Sequence, residues 1–183
     1  MIKSGKLIIS LLICSLCVLE IDEAKSLERP IVGRIETVKI DPGDIVLRAK
    51  LDTGADSSSL SSENAQFFQK GPELWVRFSI RNREGEQRQM ELKVLKTVSI
   101  KRDNGKIDKR PVVRLGVCMG NFYMMVDANL ADRSDLAYPM LIGRDFITGN
   151  LVIDSSRSYT VDPVCKILEK NKKKMKYPYE AKH

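Results

Sequence analysis

Short segments of alternating apolar and polar residues, separated by turn-forming residues, recur from residue 31 to residue 161. Segments 45–51 and 74–80 alternate in this way, as half-buried β-strands do. The Asp103-Asn104-Gly105 sequence lies between two such segments, and Asn-Gly tolerates the positive φ values of tight hairpin turns. The pattern therefore predicts an all-β fold, either a barrel or a sandwich.

Helical patterns are few in this sequence. Residues 61–70 and 144–148 are each compatible with a turn or short helix, and residues 166–176 with a frayed basic helix. The expected architecture is therefore a β-sheet structure with few short helices.

The first 26 residues have the parts of a secretory signal peptide. Lys3 and Lys6 precede an apolar run of 13 residues, 7–19, which is short for a membrane span of about 20 residues. The small residues Ala24 and Ser26 predict cleavage after Ser26. We therefore expect an exported protein, periplasmic or secreted, that is not stably inserted in a membrane after cleavage.

Two alternatives to a cleaved signal peptide stay open. The acidic residues within 20–23 are unusual near a cleavage site, which keeps an uncleaved anchor in view. A lipoprotein is disfavoured because both cysteines of this segment follow large apolar residues. The expected organisation is a signal peptide at 1–26, one domain at 27–165 and a basic, flexible tail at 166–183.

Most of the positive charge of the chain lies in this C-terminal tail. The full sequence has a formal net charge of +7, and residues 166–183 contain seven Lys against two Glu. Residues 27–165 are left with a net charge of only about +2. A nucleic-acid-binding face is therefore not expected on the domain.

A single histidine, His183, ends the sequence. A Ser-His-Asp triad, a Cys-His dyad or a histidine-ligated zinc site would need an imidazole held inside the fold. No HExxH or GxxxxGK[ST] sequence is present, so neither a metal nor a nucleotide cofactor is expected. Cys118 and Cys165, the two cysteines beyond residue 26, are either disulfide partners or separate thiols.

The Asp52-Thr53-Gly54 sequence is the main candidate for catalysis. An apolar segment runs directly into it, which would place the Asp52 carboxylate at the end of a rigid strand. Gly54 permits a tight turn, and we expect the Thr53 hydroxyl to fix the backbone beneath the carboxylate. For this tripeptide alone, an ordinary turn between two strands is the alternative.

A second segment, residues 139–146 (Pro-Met-Leu-Ile-Gly-Arg-Asp-Phe), makes the pattern specific. It follows Asp52 after about 90 residues. The two motifs in this order resemble the retropepsins, single-domain aspartic peptidases of retroviral type. Together with segments 33–36, 110–113, 132–134 and 152–154, they also resemble a bacterial family long labelled ATP-dependent zinc proteases, which is itself similar to retropepsins. The resemblance covers residues 31–161.

The resemblance implies a retropepsin-like closed β-barrel and a role for several residues. Asp52, Thr53 and Gly54 would be catalytic. The structural support of the site would come from Ala55, Asp56, Leu141, Ile142, Gly143 and Arg144, and a flap would be tipped by Asp103, Asn104 and Gly105. Asp56 and Arg144 would form a buried ion pair at the dimer-facing base of the site, and removing one partner would cost about 3–5 kcal/mol.

Aspartic proteolysis needs two carboxylates that share one proton. The sequence beyond residue 26 contains one Asp-Thr-Gly, and Asp154-Ser155-Ser156 lacks the glycine. We therefore expect an aspartic endopeptidase acting on a peptide or protein, formed by a homodimer that pairs two Asp52 carboxylates. A non-catalytic peptide-binding module of the same fold is one alternative. A hydrolase that trims amide-linked glutamate tails is another, suggested by the family's frequent proximity to ATP-grasp peptide ligases.

Overall fold

The computed structural model describes residues 29–101 and 105–165. These residues form eleven strands and one four-residue helix. The strands are β1 (Ile31–Gly33), β2 (Ile35–Asp41), β3 (Ile45–Leu51), β4 (Ser59–Ser61), β5 (Glu63–Lys70), β6 (Glu73–Arg81), β7 (Gln87–Lys101), β8 (Ile107–Met119), β9 (Phe122–Ala131), β10 (Met140–Ile142) and β11 (Val152–Asp154). The helix α1 (Arg144–Ile147) lies between β10 and β11, where the sequence predicted a short helix.

Six strands close into a barrel in the order β2, β3, β10, β4, β9 and β8. Antiparallel pairing between β2 and β8, with Ile40 opposite Val117, completes the ring. Alternate residues of β3 point inward, so Leu47, Ala49 and Leu51 are buried among the apolar residues of the other strands. The all-β, retropepsin-like barrel expected from the sequence is therefore present.

Three strands extend this barrel into a side sheet. Strand β7 is long enough to pair with β6 through residues 87–93 and with β8 through residues 94–101. Strand β5 forms the outer edge against β6. The prediction of a turn or short helix at residues 61–70 was wrong, because this segment is the end of β4 followed by β5. Both faces of β5 are largely exposed, so its sequence lacks the alternation that identifies a strand.

The β7–β8 hairpin projects beyond the barrel. Residues 107–111 of β8 pair only with β7 among the described strands, whereas pairing with β9 begins at Val112. Gly105, at the start of the returning arm, has φ +77°, a value that favours glycine. Asp103 and Asn104, predicted to tip this hairpin, lie outside the described residues.

The last described segment, residues 152–165, contacts the first strands through backbone hydrogen bonds. Strands β1 and β11 pair in parallel, and residues 157–161 then run beside β2. Cys118 and Cys165 form a disulfide bond with a Cα–Cα distance of 6.0 Å, which resolves the alternative left open by the sequence. The predicted signal peptide and basic tail lie outside the described residues. None of the helical residues in the described part forms a segment long and apolar enough to cross a membrane.

Candidate active site

Asp52 lies where β3 leaves the barrel wall. Strand β3 pairs in parallel with β10, and the pairing continues beyond the strands because the Asp52 N–H donates to the Ile142 carbonyl at 2.8 Å. Leu51, immediately before it, is buried in the core. The backbone of Asp52 is therefore fixed by the barrel, while its side chain remains 31% exposed.

The Asp-Thr-Gly turn is held by short-range hydrogen bonds. The Gly54 N–H donates to Asp52 Oδ1 at 3.0 Å, and the Ala55 N–H donates to the Asp52 carbonyl at 3.2 Å. Thr53 is exposed, and its hydroxyl forms no hydrogen bond within the described part of the single chain. In the isolated chain, backbone N–H groups hold this turn, and the role expected for the Thr53 hydroxyl stays a prediction.

The Leu141-Ile142-Gly143 segment braces this turn, as the resemblance implied. The Gly143 N–H donates to Ser58 Oγ at 3.1 Å, and the Arg144 N–H donates to the Ala55 carbonyl at 2.8 Å. A Cβ atom on Gly143 would lie 2.6 Å from the Ser57 carbonyl carbon, so only glycine permits this approach. Backbone contact between two distant segments thus determines where the Asp52 turn lies.

Asp56 and Arg144 form the expected ion pair, but it is not buried. The Arg144 guanidinium contacts the Asp56 carboxylate and also donates to the Thr53 carbonyl at 2.9 Å. The side chains are 44% exposed for Arg144 and 89% for Asp56. Surface pairs of this kind contribute about 0–1 kcal/mol, so the cost of 3–5 kcal/mol expected for a buried pair does not apply to a single chain.

Cations near Asp52 were not recognised as site residues from the sequence. The Lys50 ammonium lies 3.9 Å from Asp52 Oδ2. Burial and the neighbouring Arg110 guanidinium lower the pKa of Arg133, and the Asp52 carboxylate opposes them. Arg133 therefore lies within electrostatic range of both Arg110 and Asp52. Arg110 and Arg133 fall in segments that carried the family resemblance. This resemblance was the sequence signal that could have pointed to them as site residues.

The Asp154 carboxylate accepts hydrogen bonds from a nearby residue in sequence, Ser156. Its Oδ1 accepts from the Ser156 N–H at 2.9 Å and from the Ser156 hydroxyl at 2.6 Å. These hydrogen bonds lower the pKa of Asp154, which favours its ionised form. Asp154 thus stabilises a turn after β11.

The described residues contain no cluster of three or more His, Cys, Asp or Glu side chains arranged to hold a metal ion. The carboxylate of Asp52 has cations as its charged neighbours and no second acid of the same chain within a described ion pair or hydrogen bond. In the single chain, Asp52 is thus a partly exposed carboxylate on a turn that is fixed by the barrel.

A closed six-stranded barrel with an Asp-Thr-Gly turn braced by a Leu-Ile-Gly strand defines the class of retropepsin-like proteins. A family model described as "RimB-like: Retropepsin-like aspartic endopeptidase RimB" matches residues 31–163, and the chain belongs to this family. A solved structure of the Legionella pneumophila protein Lpg0085, described as having unknown function, aligns with a TM-score of 0.64 and 30% identity. The alignment covers 74% of this chain and 100% of that one.

Curated relatives are similar over part of their length. A protein of Shewanella halifaxensis named "Probable alpha-L-glutamate ligase" is 30% identical over 116 residues, which cover 62% of this chain and 25% of that protein. A protein of Desulfotalea psychrophila with the same name is 25% identical over 147 residues, covering 78% of this chain and 32% of its own. The chain thus spans about a quarter to a third of the length of these relatives.

Proposed function

We propose that this protein is an aspartic-type peptide hydrolase in which the Asp52 carboxylates of two identical chains form the catalytic pair. The observation that carries the proposal is the Asp52 carboxylate itself. It lies on a turn fixed by backbone hydrogen bonds, yet it is partly exposed and accepts one hydrogen bond from the described residues, that of the Gly54 N–H. This leaves lone pairs available to a water molecule and to a proton shared with a second carboxylate.

The proposed reaction uses the two carboxylates in different protonation states. Two carboxylates about 3 Å apart cannot both be ionised, so one proton is shared between them. The ionised Asp52 removes a proton from water as the water oxygen attacks the scissile carbonyl carbon, and the protonated Asp52 gives its proton to the carbonyl oxygen. Collapse of the resulting gem-diol breaks the C–N bond, and a proton passes to the leaving amine.

Apolar exposure at the same end of the barrel supports dimerisation there. Ile31 of β1 and Val152 of β11 are directly paired, and they are 58% and 46% exposed. The Leu51 N–H donates to the carbonyl of Arg34, the residue that follows β1, so this small sheet lies beside the strand that leads to Asp52. A two-fold dimer around this end would cover both apolar side chains and bring the Asp52 turns together.

The cations around Asp52 favour a second candidate, cleavage after or between acidic residues such as those of glutamate tails. Lys50 lies 3.9 Å from Asp52, Arg133 lies within electrostatic range of Asp52, and Arg110 pairs with Asp108. Three cations against two carboxylates leave positive charge for an acidic substrate. The curated relatives named as probable alpha-L-glutamate ligases are consistent with such a substrate. This candidate uses the same catalytic pair and differs only in the peptide that it accepts.

We place the protein outside the cytoplasm, in the periplasm or secreted. Two features support this location: the signal-like segment 1–26 and the Cys118–Cys165 disulfide, since disulfides persist mainly in oxidising compartments. Its proposed partners are a peptide substrate and a second copy of the chain, with no role for nucleic acid or membrane insertion.

Digestion of a peptide library by residues 27–183 tests the hydrolase proposal. We expect cleavage with a maximum rate at acidic pH, because one proton must remain on the catalytic pair. Asp52→Asn should abolish cleavage while leaving the unfolding midpoint within about 1 °C of wild type, because it alters a partly exposed side chain. An Asp52→Asn protein that still binds library peptides, together with a wild-type protein that binds but never cleaves, would identify a peptide-binding module instead.

Matched peptides that differ only in Glu against Gln test the acidic-substrate candidate. We expect kcat/KM to be about tenfold higher for the Glu peptide, as for other charge-assisted contacts. Arg133→Gln should remove this preference, whereas Arg114→Gln, which changes an exposed arginine paired with Asp127, should preserve it. Equal cleavage of both peptides by the wild-type protein would exclude the candidate but leave the hydrolase proposal standing.

A further inference from the structure

Arg110 lies at the point where the β7–β8 hairpin leaves the barrel. It pairs with Val98 of β7 and precedes Val112, the first residue of β8 that pairs with β9. Its side chain is only 18% exposed. A guanidinium at this position can contact both the hairpin and the barrel wall.

Two side chains hold the Arg110 guanidinium. Its Nε donates to Asp108 Oδ2 on the hairpin at 2.8 Å, and its Nη1 donates to Asn129 Oδ1 on β9 at 3.2 Å. Arg110 thus binds the projecting arm through its hydrogen bond to Asp108 and the barrel wall through its hydrogen bond to Asn129. The same guanidinium is close enough to Arg133 to lower its pKa.

Asn129 connects this contact to the Asp52 turn. It is 5% exposed, and its backbone N–H and its Nδ2 both donate to the Ser58 carbonyl, at 3.0 and 2.8 Å. Ser58 in turn accepts the Gly143 N–H on its hydroxyl and donates that hydroxyl to Asp145 Oδ1 at 2.8 Å. Every link from Arg110 to the segment that braces Asp52 is therefore a direct hydrogen bond.

We propose that Asn129 is a positioning residue that couples the hairpin to the Asp52 turn, because its Oδ1 holds Arg110 and its Nδ2 holds the Ser58 carbonyl. A peptide that contacts the described arms of the hairpin would then act on the Asp52 turn through Arg110, Asn129 and Ser58. The coupling itself is a property of the fold. Its effect on substrate rests on the proposed function.

Amide hydrogen exchange tests the coupling without any substrate. Arg110→Ala removes a hydrogen bond from the hairpin side, so exchange should become about tenfold faster at the amides of residues 54–58, which the arginine does not touch. Arg114→Ala is the matched control, because Arg114 lies on the same strand and pairs with Asp127 of β9. Unchanged exchange at residues 54–58 in Arg110→Ala, or an equal increase in Arg114→Ala, would overturn the coupling.

Kinetics of peptide cleavage test the positioning role. Asn129→Ala and Arg110→Ala should each raise KM about tenfold with a smaller change in kcat, and the double variant should be no worse than either. Asn129→Asp keeps an acceptor for Arg110 but loses the Nδ2 donor to the Ser58 carbonyl, so KM should stay as high as in Asn129→Ala. Additive effects of the Asn129→Ala and Arg110→Ala substitutions, or a wild-type KM for Asn129→Asp, would overturn the coupling through Ser58. If the wild-type protein cleaves nothing, the proposed function fails, and the exchange result still decides the coupling.

Discussion

Glu36 and Asp52 are carboxylates on neighbouring parts of the same barrel with opposite surroundings. Glu36, in β2, is fully buried, and its oxygens accept hydrogen bonds from the backbone N–H groups of Gly33, Thr160 and Val161. Asp52, just beyond β3, is partly exposed and accepts the Gly54 N–H. The first carboxylate has its hydrogen-bonding capacity filled by the fold, and the second does not.

The difference separates a structural acid from a candidate catalytic one. Glu36 joins β1 to the segment beside β2 that follows β11, so its hydrogen bonds connect regions 124 residues apart in sequence. A carboxylate satisfied in this way has little capacity left for a substrate. Asp52 has a fixed backbone and a free face, which are the conditions that an acid–base residue requires. Each of the following variants breaks or sharpens this contrast.

The largest expected effect on stability comes from Glu36→Ala. Removal of this acceptor leaves the N–H groups of Thr160 and Val161 without their partner, whereas the Gly33 N–H keeps the Thr160 hydroxyl at 3.2 Å. Each unsatisfied donor costs about 1–3 kcal/mol. We expect the free energy of unfolding, measured by urea denaturation, to fall by about 3–5 kcal/mol. Glu84→Ala, at an exposed side chain that pairs with Arg48, is the control and should change it by less than about 0.5 kcal/mol. A similar small change for Glu36→Ala would contradict its structural role.

An intermediate effect is expected from Gly143→Ala. The added methyl group would collide with the Ser57 backbone, and overpacking of this kind costs about 1–3 kcal/mol. Because the displaced backbone belongs to the Asp52 turn, we also expect cleavage to fall further than stability explains. Gly85→Ala, at φ +88° with open space around the glycine, should cost about 1 kcal/mol but retain full activity per folded molecule. Full activity in Gly143→Ala would mean that the brace does not position Asp52.

The smallest effect is expected from Arg144→Ala. Its partner Asp56 is exposed in the single chain, so the loss of unfolding free energy should not exceed about 1 kcal/mol. If dimer formation buries this pair, the variant should weaken self-association much more than it weakens the fold, which sedimentation at several concentrations would measure. Equal association of variant and wild type would place the pair outside the interface.

The sequence predicted the fold class and the contact between the Asp52 turn and the Leu-Ile-Gly segment, because both depend on local patterns. Alternation identifies the barrel strands, and Asp52-Thr53-Gly54 with Leu141-Ile142-Gly143 is recognisable as a pair of motifs. The edge strand β5 was missed because neither of its faces packs fully against the core. A strand that buries little carries little of the hydrophobic pattern that prediction uses.

Long-range polar contacts were the other part that the sequence did not predict. Nothing near Glu36 shows that its partners are Thr160 and Val161, because the contact is created by the pairing of distant strands. The same holds for Asn129, which has no distinguishing neighbours in sequence and reaches Ser58 and Arg110 only in the folded barrel. The burial of the Asp56–Arg144 ion pair was overestimated, because both side chains are exposed in the single chain.

Mixing wild-type chains with Asp52→Asn chains tests most directly whether two subunits share one catalytic site. After subunit exchange with a ninefold excess of the variant, nearly all wild-type chains are in heterodimers that hold one Asp52 carboxylate. Cleavage activity per wild-type chain should then fall to about one tenth, whereas the same excess of Asp127→Asn, which changes an acid on the barrel side, should leave it unchanged. Activity per wild-type chain that stays constant in the Asp52→Asn mixture would show that each chain carries a complete site and would contradict the shared Asp52 pair.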